Sequence, residues 1–158
     1  MQQIDEVGTA ALLFPGQGSQ EVGMGRDLAA SLPLAAEVFE RADAALGFSL
    51  SSLCFDGPAE RLVETAFAQP ALLCHAYAAW RVASEHGAGP FAAAAGHSLG
   101  EWTAHVIAGT LAFEDAVRLV HLRGRLMQQA VPLGEGSMAA LIGVDEATVL
   151  RALDAAAA

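Results

Sequence analysis

Lysine is absent from this 158-residue chain, and its eight basic side chains are all arginines set against 18 acidic ones. A net charge of −10 lacks the basic footprint that a phosphate backbone requires, so no nucleic-acid partner is expected. Two cysteines, Cys54 and Cys74, are too few for a disulfide framework. Neither stands in a Cys-x-x-Cys pair or near paired histidines, so no metal site is expected. Both read as small buried apolar residues of a reduced, cytoplasmic protein. Long apolar runs are also missing. Stretches such as Phe91–Ala95 and Val106–Phe113 fall far short of the ~20 residues that a spanning helix needs. The segment Met1–Ala10 carries Asp5 and Glu6 and no positive charge, unlike a signal peptide.

What is present is a strongly apolar chain: 54% of its residues are apolar and 16% charged, which suits one sizeable core and excludes a disordered polymer. Ala10–Phe14 is a short apolar run ended by Pro15-Gly16, the pattern of a buried strand entering a loop. Helices are expected over about Gly25–Ser31, over Leu34–Leu46 with Gly47 as its stop, and over Pro58–Phe67. The longest is expected over Gln69–His86, with Pro70 at its first position and Gly87 at its end. A second strand is expected at Phe91–Ala95, followed by helices at Leu99–Ala108 and Phe113–Val131. A strand at Ser137–Gly143 and a last helix capped by Asp145 complete the reading. Alternating strands and helices imply an α/β architecture with a mainly parallel sheet.

Three stretches carry chemistry. Gly96-His97-Ser98-Leu99-Gly100 is a Gly-x-Ser-x-Gly motif between an apolar run and a helix, the setting in which a serine hydroxyl projects from a sharp turn. The helix beginning at Leu99 directs free N–H groups toward the same spot. Phe14-Pro15-Gly16-Gln17-Gly18-Ser19-Gln20 is a glycine-rich loop that lacks the lysine and spacing of the common phosphate-binding loops. Taken alone it reads as an ordinary strand-to-helix connection. Arg123-Gly124-Arg125 offers a helical guanidinium able to hold a carboxylate through two parallel hydrogen bonds, although an exposed helical arginine is the plainer reading. Arg118 and Arg125 carry nothing beyond that plainer reading. A serine nucleophile needs a base. His97 is adjacent to Ser98 and reads as an orienting neighbour rather than the base. His75, His86, His105 and His121 fall on expected helices as surface or satisfied core residues.

Together and in this order, these stretches resemble the malonyl-CoA:acyl carrier protein transacylase family, which includes the acyltransferase domains of polyketide synthases. LLFPGQGSQ…GMGRDL is similar to its opening signature and ETAFAQPALL to its Thr-x-x-x-Gln-Pro-Ala-Leu segment. GHSLGEW resembles its nucleophile turn, and RLVHLRGRLMQQAVPLGEGSMAALIG the helix, loop and strand that follow. Trp102 stands where the family usually has tyrosine or phenylalanine, and His105 where it usually has an apolar residue.

The resemblance implies a hydrolase-like, parallel-sheet large subdomain over residues 1–131. Residues 132–158 would then be the first strand and helix of a ferredoxin-like small subdomain. It implies Ser98 as the acylated nucleophile and the N–H groups of Gln17 and Leu99 as the oxyanion hole. Arg123 would bind the malonyl carboxylate, and His97 would lie beside the nucleophile in the substrate site. Malonyl would pass from malonyl-CoA to Ser98 and then to the phosphopantetheine thiol of an acyl carrier protein, in fatty acid or polyketide synthesis, with no cofactor. Leu99 after Ser98 favours malonyl over methylmalonyl, whose enzymes tend to have glutamine there. Family members are longer and place their catalytic histidine in a later segment. A complementary C-terminal acyltransferase segment is therefore an expected partner, and Met1 so near the first strand suggests an enzyme acting in trans. A serine hydrolase or thioesterase, or a catalytically silent fragment that binds a partner chain, are the competing readings.

Overall fold

The computed structural model describes residues 10–131 and 142–156. Strand β1, Ala10–Phe14, pairs in parallel with β2, Phe91–Gly96, so that Leu12 faces Ala94 and Phe14 faces Gly96. Parallel neighbours need a long crossover. Here it consists of five helices: α1 (Arg26–Ser31), α2 (Pro33–Leu46), α3 (Leu50–Asp56), α4 (Ala59–Leu62) and α5 (Thr65–Glu85). After β2 come α6 (Leu99–Ile107), α7 (Phe113–Ala130) and α8 (Glu146–Ala156). The α/β class is as expected, with a two-stranded parallel sheet among the described residues. Leu13 on that sheet is 77% exposed.

The core lies between α5 and the helices packed around it, chiefly α7 and α2. Phe39, Leu50, Leu73, Leu99 and Val117 are almost wholly buried there. Ala68, Ala71 and Ala78 on α5 are fully buried, and their small side chains let neighbouring helices close in from several sides. Cys54 and Cys74 are free and buried in this core. Burial pushes the Cys54 thiol up to about 12, and Cys74 also well above its ordinary value, so both are inert apolar residues at neutral pH. Asp145 caps α8 by accepting the Thr148 N–H at 2.7 Å. No residue of α8 is buried.

Several expectations are corrected. Pro58–Phe67 is not one helix: α4 ends at Leu62, and Glu64 is extended before α5 begins at Thr65. Pro70 therefore sits inside α5 rather than at its start. A proline there has no N–H for the carbonyl four residues back, which is that of Ala66. That carbonyl is taken instead by His121 of α7, whose Nδ1 donates to it at 2.8 Å. His121 is thus a satisfied packing residue. His86 lies one residue beyond α5 and bonds back to the Val82 carbonyl. Leu50–Asp56 is too short for its periodicity to announce a helix, yet Ser49 caps it and Leu50, Leu53 and Cys54 form its buried face. Most of the strand expected at Ser137–Gly143 lies outside the described residues, and Ile142 and Gly143 are not in a strand. Among the described residues no helix is long and apolar enough to cross a membrane.

The α5–α7 contact depends on Gly124. A Cβ at that position would run into the Thr65 carbonyl and the Ala66 Cα. Alanine favours a helix over glycine by ~1 kcal/mol, but overpacking here is expected to dominate. Gly124→Ala should lower stability by about 1–2 kcal/mol net, read as a lower urea midpoint.

On the other side of α5, His75 borders a cavity of about 700 Å³ together with Phe14, Glu21, Met24 and Leu28. Its Nδ1 is buried without a partner among the described residues. Burial lowers its pKa below 6.5, against an opposing pull from Glu21. As pH falls through about 6.5 the unfolded chain gains the proton first, so stability should fall from about pH 7 to 5.5. His75→Gln should flatten that slope in unfolding curves taken across the same range.

Candidate active site

Strand β2 ends at Gly96, and the chain turns through His97 and Ser98 into α6. Ser98 has φ 52° and ψ −104° and is the one non-glycine residue with positive φ among those described. Such a conformation costs of order 1–3 kcal/mol and persists only where its surroundings impose it. The surroundings are visible on both flanks. A Cβ on Gly96 would collide with the Gly100 backbone, and one on Gly100 would collide with the Phe14 carbonyl. The first turn of α6 therefore lies directly on the end of β1, and both flanking glycines are sterically required. The Gly100 N–H donates to the His97 carbonyl at 2.9 Å and the Glu101 N–H to the Ser98 carbonyl at 3.3 Å. Of the first three amides of α6, that leaves Leu99 at the turn itself. Ser98 is exposed.

The glycine-rich loop after β1 faces this turn. The His97 N–H donates to the Phe14 carbonyl at 3.3 Å. A Cβ on Gly16 would come within 2.8 Å of His97 Nδ1, so the loop lies against one edge of the imidazole, which stays exposed. Gly18 has φ 113°, and its N–H donates to Gln20 Oε1 at 2.8 Å, which sets the shape of the loop tip. Gln17 is exposed at that tip.

Arg123 reaches the turn from α7. Its Nη2 donates to Ser98 Oγ at 3.0 Å and its Nη1 to Gln69 Oε1 at 2.5 Å. Both partners are neutral, and among the described residues no carboxylate pairs with this guanidinium. Several other arginines are committed: Arg26 pairs with Asp56, Arg41 with Glu114 and Arg118 with Asp115. Arg125 is exposed. Among the described residues no histidine is hydrogen-bonded to Ser98 Oγ.

Gln69 and Thr65 belong to this cluster without having been singled out individually in the sequence. Gln69 is fully buried, and its Nε2 donates to Thr65 Oγ1 at 2.9 Å. Thr65 Oγ1 donates in turn to Gln17 Oε1 at 2.8 Å. The signal that finds them is their spacing of four, which puts both on one helix face. Starting the helix at Gln69 hides it.

Comparison with known proteins completes the picture. Residues 11–156 match the model of the acyl transferase domain family. The malonyl CoA-acyl carrier protein transacylase of Escherichia coli O157:H7 is 54% identical over 147 residues, covering 93% of this chain and 48% of that protein. A solved type II PKS acyl-carrier protein in complex with its malonyl-transacylase matches with a TM-score of 0.84 at 48% identity, over 93% of this chain and 48% of that one. The malonyl CoA-acyl carrier protein transacylase of Coxiella burnetii matches with a TM-score of 0.85 at 48% identity, over 93% and 46%. The chain spans about half the length of the curated relatives it matches.

The strained turn yields a stability test. Ser98→Gly should be more stable than Ser98→Ala by about 1 kcal/mol, because glycine relieves the strain at some cost in unfolded-state entropy. Denaturant unfolding of the two variants checks this, and equal midpoints would show that the strain relieved is no larger than the entropy cost of glycine.

Proposed function

The chain belongs to the acyl transferase domain family, and on that footing we propose that it carries the nucleophile and the carboxylate clamp of a malonyl transferase. The observation that carries the reading is Arg123 Nη2 standing 3.0 Å from Ser98 Oγ. In a malonyl thioester the free carboxylate is one methylene away from the reacting carbonyl. A cation that recognises it must therefore stand within a few Å of the nucleophile, as this one does. A hydrolase or thioesterase acting on neutral acyl groups has no use for a guanidinium there.

In the proposed mechanism Ser98 Oγ attacks the thioester carbonyl of malonyl-CoA. The negative charge on the tetrahedral oxygen is held by the N–H groups of Leu99 and Gln17, each worth about 2.7–4 kcal/mol to the transition state. The C–S bond breaks, coenzyme A leaves as its thiol, and the malonyl group remains as an ester on Ser98. The phosphopantetheine thiol of an acyl carrier protein then attacks that ester, and Ser98 recovers its proton. Arg123 holds the malonyl carboxylate throughout, and His97, exposed beside Gly16, lines the substrate site. Support for the carrier-protein partner comes from the malonyl-transacylase solved in complex with one.

A base for the Ser98 proton belongs, in this reading, to a complementary C-terminal acyltransferase segment. Residues 1–131 are assigned to the large, hydrolase-like subdomain and residues 132–158 to the start of a ferredoxin-like small one. Relatives about twice as long as this chain support the expectation of a complementary segment. Fatty acid or polyketide synthesis in the cytoplasm is the proposed setting.

The test compares two acyl groups. Incubation with malonyl-CoA should leave a malonyl ester on Ser98, detected by mass spectrometry. Arg123→Ala should lower malonyl loading about ten- to hundredfold, the worth of a charge-assisted hydrogen-bond pair, and acetyl loading far less. An equal loss for both would favour the hydrolase reading. No adduct from the unsubstituted intact protein would favour a silent binding fragment.

A further inference from the structure

Resting on the malonyl-transfer reading, we propose that Gln69 and Thr65 are positioning residues that link the carboxylate clamp to the oxyanion loop. The direction of every bond in the chain Arg123–Gln69–Thr65–Gln17 follows from its first member. A guanidinium can only donate. Gln69 must therefore turn its carbonyl oxygen to Arg123, which it does at 2.5 Å. Its amide nitrogen is then left to donate to Thr65 Oγ1 at 2.9 Å and toward Met127 Sδ at 3.4 Å. The Thr65 oxygen has accepted that bond, so its own hydrogen goes to Gln17 Oε1 at 2.8 Å. Gln17 is the residue whose main-chain N–H faces the developing oxyanion in the proposed mechanism.

The inner part of this relay is held firmly. Gln69 has no exposed surface, so losing either partner would leave a buried amide group unsatisfied. Gly124 brings α7 against the Thr65 carbonyl, and the His121 bond to the Ala66 carbonyl fixes α7 two residues before Arg123. Only the outer end, Gln17, is exposed. The two residues therefore do different work. Gln69 fixes the guanidinium plane and so governs selection of an acyl group with a free carboxylate. Thr65 pins the glycine-rich loop and so governs turnover of any acyl group.

Steady-state transfer by the intact protein, from malonyl-CoA and from acetyl-CoA, separates these roles. Gln69→Leu should raise KM for malonyl-CoA and lower the malonyl-to-acetyl ratio of kcat/KM about tenfold. Thr65→Val, which keeps the shape and removes the hydroxyl, should lower kcat about tenfold for both acyl groups and leave their ratio within about twofold. Thr65→Ser should restore kcat. An unchanged acyl ratio in Gln69→Leu, or normal kcat in Thr65→Val, overturns the relay while leaving the functional reading intact. If Gln69→Leu does not fold, the Thr65 pair decides. If the unsubstituted protein forms no malonyl ester on Ser98, the functional reading falls and the relay's role falls with it.

Discussion

The first turn of α6 rests on the main chain at the end of β1, with no room for a side chain at position 96 or 100. From that one contact the rest of the site follows. It forces Ser98 into a positive φ, lifts its hydroxyl out of the turn, and brings the start of the glycine-rich loop against His97. Arg123 then meets the hydroxyl only because Gly124, the next residue, lets α7 approach the first turn of α5. Two main-chain contacts, each made possible by missing Cβ atoms, set the geometry before any polar group is considered.

The electrostatics run against the chain's overall sign. A protein of net charge −10 repels an anionic thioester at long range, but salt limits that repulsion to about 8 Å under physiological conditions. Inside that range what counts is whether a positive group is already neutralised. Arg41 and Glu114 show the paired case: the hydrogen bond from the Arg41 guanidinium lowers the Glu114 pKa, and the two charges neutralise each other in joining α2 to α7. Arg123 is held by an amide and a hydroxyl instead. Among the described residues no carboxylate pairs with it, and an oriented, unpaired guanidinium is what recognition of a small carboxylate requires.

The sharp turn at Ser98 was readable in the sequence because its requirements are local. Two glycines, a preceding apolar run and a following helix are all within a dozen residues. The bounds of β1 and the end of α2 were readable for the same reason, since Pro15 and Gly47 act within their own segments. The relay was not. Its legibility depended on where α5 begins, and Pro70 pointed to the wrong place. A proline is expected at a helix start because its missing N–H costs nothing there. At the sixth position of α5 the cost is met by His121, which lies 55 residues from the Ala66 carbonyl it satisfies and which no local rule can see. Thr65, Gln69 and Arg123 come together only once that long-range bond is in place.

Pro70 and His121 also bear on how this chain can change over evolutionary time. The Ala66 carbonyl takes its hydrogen from the imidazole because position 70 has none to give. Were residue 70 to regain a main-chain hydrogen, the ring would face a competitor for the same acceptor. Were residue 121 to change first, the carbonyl would be orphaned. The two sites are epistatic: drift is tolerated at position 121 only after position 70 has ceased to be proline, so the order of substitution matters.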